Sequence, residues 1–211
     1  MPHYFEYDPN MVSNRHEISF EILGKRFSLM SDNGVFSKSE LDDGTRTLIE
    51  TSFTHRLNGK VLDLGCGIGN VGIVLKSLLF DLEVEMVDVQ HNAVELAKEN
   101  IKRLKLEGIK AYESDVVESV TTSFNYVLTN PPIRAGKATV HQFFDGAYKV
   151  LENDGVLLVV IRKSHGAPSA KVYLVSPESA VAAALTGFIT DPRKLGAMPK
   201  IDMPDAFKVN D

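Results

Sequence analysis

The chain has a single cysteine among its 211 residues, Cys66, so it cannot form an internal disulfide, and a reducing, cytoplasmic setting is expected. No apolar run approaches the length of a membrane span. The first ten residues, MPHYFEYDPN, contain no basic stretch followed by an apolar one, which argues against an export signal. His and Cys do not cluster at metal-ligand spacing, and there is no internal repeat or low-complexity run, so neither a metal nor a membrane partner is expected. Positive charge is not in excess either: 23 Lys and Arg face 28 Asp and Glu, a net charge of −5. A nucleic acid would have to meet a local patch rather than the field of the whole molecule. What remains is ordinary globular material, 44% hydrophobic and 24% charged, long enough for one α/β domain with a short appendage.

From Glu17 to Met30 the segment EISFEILGKRFSLM alternates apolar and polar residues on either side of Leu23-Gly24-Lys25. That pattern predicts two strands joined by a tight turn. Residues 31–40 read as a loop, and Leu41 to Phe53 as a helix carrying Leu48, Ile49 and Phe53. Strands and helices then alternate: KVLDLG, VGIVLKSLL, EVEMVDV, NAVELAKENIKRL, KAYES, NYVLTN, TVHQFFDGAYKVL and GVLLVVIR. Short apolar strands separated by amphipathic helices imply a Rossmann-like α/β fold, a mostly parallel sheet covered on both faces. Val94, Ala97, Ile101 and Leu104 form one expected core stripe, and Val140, Phe143, Phe144, Ala147, Val150 and Leu151 another.

The central motif is VLDLGCGIGNVGI, where a buried strand carries Asp63 and then meets Gly65, Gly67 and Gly69 before an apolar helix. Glycines allow a sharp turn and let a ligand approach the backbone. Nineteen residues after Gly69, the next strand ends in Asp88, placed to accept both hydroxyls of a ribose. Gly67, Gly69 and Gly72 also satisfy the spacing of dinucleotide-binding folds, so NAD competes for this geometry. Asp63 favours S-adenosylmethionine: a carboxylate there suits a ligand bearing an ammonium and a nucleoside and repels a pyrophosphate. Asp115 ends the third strand, where it can accept from an adenine amine or serve as a loop acid or helix cap. Cys66 has no histidine close in sequence to activate it, and a small packing residue is expected.

The fourth strand runs into Asn130, Pro131, Pro132 and Ile133. Two prolines in a row can neither donate to a ladder nor continue a helix, so they stiffen the chain and leave carbonyls at a strand end. In an open α/β sheet that end faces the same crevice as the glycine turn. If the Asn130 side-chain oxygen and the Pro131 carbonyl accept the two hydrogens of a planar amine, its lone pair is freed for a methyl donor. Binding geometry then supplies most of the acceleration, without a metal or strong base.

Together SDNGVFSKSELDDGT, VLDLGCGIGNVGIVL, MVDV, AVELAKENI and TNPPIRAGK resemble the class I S-adenosylmethionine-dependent methyltransferases of the small-domain type, over about residues 3–170. That group includes ribosomal RNA guanine-N2 methyltransferases, and through its N-P-P tetrapeptide it resembles the release-factor glutamine N5 methyltransferases. The resemblance implies cofactor contacts at Asp63, Gly65, Gly67, Gly69, Asp88 and Asp115, and acceptor contacts at Asn130, Pro131, Pro132 and Ile133. Ile133 stands where the glutamine-modifying relatives usually have an aromatic residue, which favours the RNA-type or an uncharacterised branch. A base must then be extruded or single-stranded to reach Asn130, with Phe36, Tyr4 or Phe5 as stacking candidates. Between Arg134 and Lys171 six basic residues face three acids, and Arg134, Lys137, Arg162 and Lys163 are candidate phosphate contacts or ordinary solvated charges.

From Lys171 onward the chain resembles a segment of the aconitase and isopropylmalate dehydratase family. No iron-sulfur ligand set accompanies it, and no dehydratase activity follows. The expected organisation is an extension over 1–55, a cofactor-binding core over 56–170 and an atypical tail over 171–211. That reading makes the chain a fusion or chimera, with its sheet short of strands unless KVYLV and FIT replace them. A diverged tail that still supplies a strand and a helix is the alternative. Three functions are therefore open: RNA methylation, protein glutamine methylation, and a cofactor-binding chain impaired by its altered C-terminus.

Overall fold

A computed structural model describes residues 12–35, 40–132, 135–161 and 171–175. Among the described residues the first elements are the predicted hairpin, β1 (His16–Ile22) and β2 (Lys25–Ser31), paired antiparallel. Leu23 and Gly24 both have positive φ, 50° and 72°, as a two-residue turn between twisted strands requires. Ile18, Phe20, Ile22, Phe27 and Leu29 point inward, so the alternation read from the sequence is the alternation of burial. Helix α1 (Asp43–Thr54) follows, started by Asp42, whose side chain accepts from the Gly44 N–H.

The remaining elements are β3 (Lys60–Leu64), α2 (Asn70–Leu78), β4 (Glu83–Asp88), α3 (His91–Arg103), β5 (Ile109–Glu113), β6 (Phe124–Thr129), α4 (Lys137–Val150), β7 (Leu151–Ile161) and β8 (Lys171–Val175). They build one sheet in the order β5-β4-β3-β6-β7-β8, in which the first five strands are parallel and β8 runs antiparallel to β7. KVYLV therefore extends the sheet, which both readings of the tail allowed; the rest of the tail lies outside the described residues. The connections through α2 and α3 build the sheet outward on one side of β3, and α4 builds it outward on the other side of β6. The reversal lies between β3 and β6, the place where open α/β sheets bind ligands.

Alternate side chains along β3 divide the core. Val61 joins the apolar layer that contains α1, α2, α3 and the hairpin, whereas Leu62 and Leu64 join the opposite layer with Phe143, Ala147 and Val150 of α4. Two details differ from the sequence reading. Leu104 is 37% exposed rather than part of the core stripe, because α3 ends at Arg103 and Leu104 is its C-cap. Asn100, a polar residue, takes the inward position one turn earlier. In addition β7 starts at Leu151 rather than near Gly155, and a bulge against β6 absorbs residues 152–155.

Candidate active site

The glycine turn is held in place by the neighbouring strand. The N–H groups of Gly65 and Cys66 both donate to the Val87 carbonyl at 2.9 Å, bringing the ends of β3 and β4 together. Asp88 then ties the glycine turn to the segment after β4: Oδ2 accepts from the Gly67 N–H at 2.8 Å and Oδ1 from the Gln90 N–H at 2.9 Å. Gly69 closes the turn by donating to the Cys66 carbonyl at 2.9 Å and starts α2. At Gly65, φ is 77° and an added Cβ would stand 2.9 Å from the Phe143 ring of α4. At Gly67, φ is 55° and no protein atom lies within 4 Å of where a Cβ would stand. The first glycine is required by packing, and the second opens onto space that a ligand can approach.

Asp63 is only 2% exposed, and its Oδ2 accepts from the Gly72 N–H at 2.9 Å. Gly69, the N-cap of α2, has no side chain with which to satisfy the first-turn donors. Asp63 does so from the strand beneath. Burial, together with the charge of Asp88, raises its pKa to about 7, against the opposing pull of the Gly72 hydrogen bond. Asp88 is half-buried, and burial raises its pKa also. Cys66 is buried and its thiol is pushed well above its ordinary value, first by burial and then by Asp88 and Asp63. This suits the packing role expected for it and not that of a nucleophile.

At the first residue of α2, the Asn70 Oδ1 is buried and accepts no hydrogen bond among the described residues. The turn therefore holds, close to Gly67 in the fold, a buried unsatisfied acceptor, the buried carboxyl of Asp63 and the half-buried one of Asp88. Such a set of acceptors suits a ligand that brings an ammonium and ribose hydroxyls, as S-adenosylmethionine does. Asp115 lies just past β5 at the same end of the sheet and is exposed. The Ser114 N–H, donating to the Asp88 carbonyl at 3.0 Å, joins the ends of β4 and β5 beside it.

The acceptor motif sits across the reversal point. The Thr129 hydroxyl, fully buried, donates to the Leu64 carbonyl at 2.8 Å, so β6 ends against β3 one residue before Gly65. Asn130 follows, half-buried, with its amide nitrogen donating to Thr45 Oγ1 at 3.1 Å and lying 3.4 and 3.5 Å from the two oxygens of Asp42. Sequence reasoning missed Asp42 and Thr45 as partners of this motif, although the helix-start pattern Asp-Asp-Gly-Thr marked their position. Pro131 is buried, and its carbonyl takes no hydrogen bond among the described residues. The expectation that both prolines leave free carbonyls needs correction: that of Pro132 accepts from the Ala135 N–H at 2.9 Å, closing a turn. Phe36, Ile133 and Arg134 lie outside the described residues, as do Tyr4, Phe5, Arg162 and Lys163; Lys137 opens α4, and its side chain is likewise outside them.

The chain matches the methyltransferase small domain over residues 26–184. It belongs to that family. As a member it is an S-adenosylmethionine-dependent methyltransferase. The uncharacterized protein YbxB of Bacillus subtilis is 42% identical over 170 residues, spanning 80% of this chain and 85% of that protein. The ribosomal RNA small subunit methyltransferase C of Photobacterium profundum is 36% identical over 143 residues, 66% of this chain but 41% of the relative. Among solved structures, the T. thermophilus 16S rRNA N2 methyltransferase RsmC, in complex with AdoMet and guanosine, is similar with a TM-score of 0.68 and 25% identity, covering 80% of this chain and 52% of that one. The chain thus spans about half or less of the length of these ribosomal RNA methyltransferases. Among the described residues no helix is long and apolar enough to cross a membrane, and no cluster of metal-ligating side chains occurs.

Proposed function

We propose that this methyltransferase modifies the exocyclic N2 amine of a guanine in ribosomal RNA, in the cytoplasm. When bound, S-adenosylmethionine supplies an electrophilic methyl on a positively charged sulfur. Asp63, Gly65, Gly67, Gly69, Asp88 and Asp115 form the cofactor side of the crevice in this reading, and Asn130, Pro131, Pro132 and Ile133 the acceptor side. Asn130 Oδ1 and the Pro131 carbonyl accept the two hydrogens of the amine, which is otherwise a poor nucleophile because its lone pair is delocalised into the ring. Holding those hydrogens out of the ring plane turns the lone pair toward the methyl; the N–CH3 bond would form as the S–CH3 bond breaks, leaving a neutral thioether and a positively charged amine that gives up one proton to water. Phe36, Arg134 and Lys137 are proposed to contact the RNA, the first by stacking and the others through phosphates.

The observation that carries the reading is the orientation of Asn130. Its nitrogen faces Thr45 and Asp42, three acceptor atoms, which leaves its oxygen as the group available to a substrate amine. The similarity to ribosomal RNA small subunit methyltransferases C and to the guanosine-bound RsmC structure supports the choice of substrate. The division of the chain at residues 55 and 170 is likewise a proposal, with residues 171–175 supplying an edge strand. Purified protein should transfer tritium from labelled S-adenosylmethionine to unmodified small ribosomal subunits, with the label recovered as N2-methylguanosine, and Asn130→Ala should lower the rate at least a hundredfold. Label appearing on protein instead would favour glutamine methylation. Cofactor binding without transfer to either substrate would favour an impaired chain.

A further inference from the structure

The reading of Asn130 as the acceptor of the substrate amine leaves a question of orientation. An asparagine amide has two faces that differ by a half-turn: one presents oxygen to the crevice, the other presents NH2. Only the first accepts the hydrogens of an amine; the second confronts them with two more hydrogens. Asn130 is half-buried at a strand end, and the backbone rigidity given by the prolines after it does not select between the two faces. The selection has to come from its neighbours.

We infer that Asp42 and Thr45 are positioning residues that lock the Asn130 amide with its oxygen toward the substrate. Asp42 is the N-cap of α1 and Thr45 stands three residues into the helix. The Thr45 hydroxyl donates to Asp42 Oδ2, so its hydrogen is committed and its oxygen is left as an acceptor. That oxygen receives the Asn130 amide nitrogen at 3.1 Å, and the two carboxylate oxygens lie 3.4 and 3.5 Å from the same nitrogen. A half-turn of the amide would put Asn130 Oδ1 against three oxygen acceptors and leave none of them a hydrogen to share. The α1 cap is anchored independently, because Asp42 Oδ1 also accepts from the Gly44 N–H at 3.0 Å and the Asp42 carbonyl from the Arg46 N–H at 2.9 Å. The latch is thus borne by a helix end that is already fixed, and it spans 85 to 88 residues of sequence.

This inference rests on Asn130 being the amine acceptor, and the experiment separates the two. Single-turnover and steady-state methyl transfer would be compared for wild type, Thr45→Val, Thr45→Ser, Asn130→Ala and the Thr45→Val/Asn130→Ala double variant, with cofactor affinity from calorimetry. Thr45→Val keeps the shape but removes the oxygen, and should lower kcat about tenfold while the cofactor Kd stays within about twofold. Thr45→Ser restores the oxygen and should recover activity to within about threefold. The double variant should be no slower than Asn130→Ala, since both changes act through one amide. Asp42→Ser guards against a folding artefact: serine still caps the helix but is too short to hold the latch, so kcat should fall with the melting temperature retained. Full activity of Thr45→Val, or additive losses in the double variant, would overturn the latch while leaving Asn130 in its role. Full activity of Asn130→Ala would remove both.

Discussion

Replacing Asp63 by asparagine tests the electrostatics of the glycine turn through its pH dependence. The wild-type carboxyl is buried beneath α2 with one backbone N–H on Oδ2 and with Asp88 nearby. Two influences oppose each other there. The Gly72 N–H and the positive end of α2 favour the charged form; loss of water and the Asp88 charge favour the neutral one. Burial is the largest influence, and the pKa rises to about 7. An unfolded aspartate titrates at about 3.9. Between those values the native state holds a proton that the unfolded state releases, so this group's contribution to stability is full below about pH 4 and is lost as pH rises through about 7.

The size follows from the interval. Each pH unit across it is worth about 1.4 kcal/mol, so wild type should lose on the order of 4 kcal/mol from this group between pH 4 and pH 8. The asparagine side chain has no such proton to lose and keeps an oxygen for the Gly72 N–H. Urea unfolding of both proteins at pH 5 and pH 8 measures the difference directly. The stability of Asp63→Asn relative to wild type should increase at the higher pH by roughly 2–3 kcal/mol, the part of the interval lying above pH 5. A relative stability that is flat with pH, or that falls at pH 8, would mean that the helix end and the Gly72 hydrogen bond dominate and that Asp63 is charged in the native protein.

Two further changes probe the same crevice. Gly67→Ala places a Cβ in space with no protein atom within 4 Å, at φ 55°, so folding should weaken by only about 1–2 kcal/mol, while calorimetry should show S-adenosylmethionine affinity reduced at least tenfold; an unchanged affinity would place the ligand elsewhere. Asn100→Ala removes three hydrogen bonds, accepted from the Met30 N–H at 2.7 Å and donated to the carbonyls of Met30 at 3.1 Å and Ile68 at 3.2 Å. It leaves buried backbone groups unpaired, and a loss of about 2–4 kcal/mol is expected in urea unfolding, with a midpoint equal to wild type counting against a tether.

The sequence made the local devices readable because each is a short-range necessity. The hairpin turn at Leu23-Gly24 needs positive φ, the β1 and β2 alternation needs a half-buried sheet, and a glycine turn between an apolar strand and an apolar helix needs the parallel sheet that forms around it. Asp63 was recognisable as unusual because a carboxylate interrupted a buried strand. What could not be read were bonds between residues far apart in the chain. Thr129 and Leu64 meet across 65 residues, Asn100 and Met30 across 70, and Asn130 and Asp42 across 88. Each pairs an ordinary residue with a partner that only the completed sheet brings near. Asn100 was hidden for a second reason: on an amphipathic helix an asparagine at an inward position reads as polar surface until a strand end needing a donor and an acceptor is docked against it.

Those long-range bonds change the standing of residues 12–54. By sequence they form an extension before the glycine turn; by contact they reach both sides of the crevice. Met30 at the end of β2 shares Asn100 with Ile68, a residue inside the glycine turn, so docking of the hairpin and the shape of the turn draw on one buried amide. The first turn of α1 meets Asn130 through Asp42 and Thr45. The cofactor side therefore leans on β2 and the acceptor side on α1, while Arg46 of α1 donates to the Glu21 carbonyl of the hairpin at 2.8 Å. A perturbation of the hairpin should then register first in cofactor affinity, and one at the α1 cap first in turnover, although both belong to the same N-terminal stretch of chain.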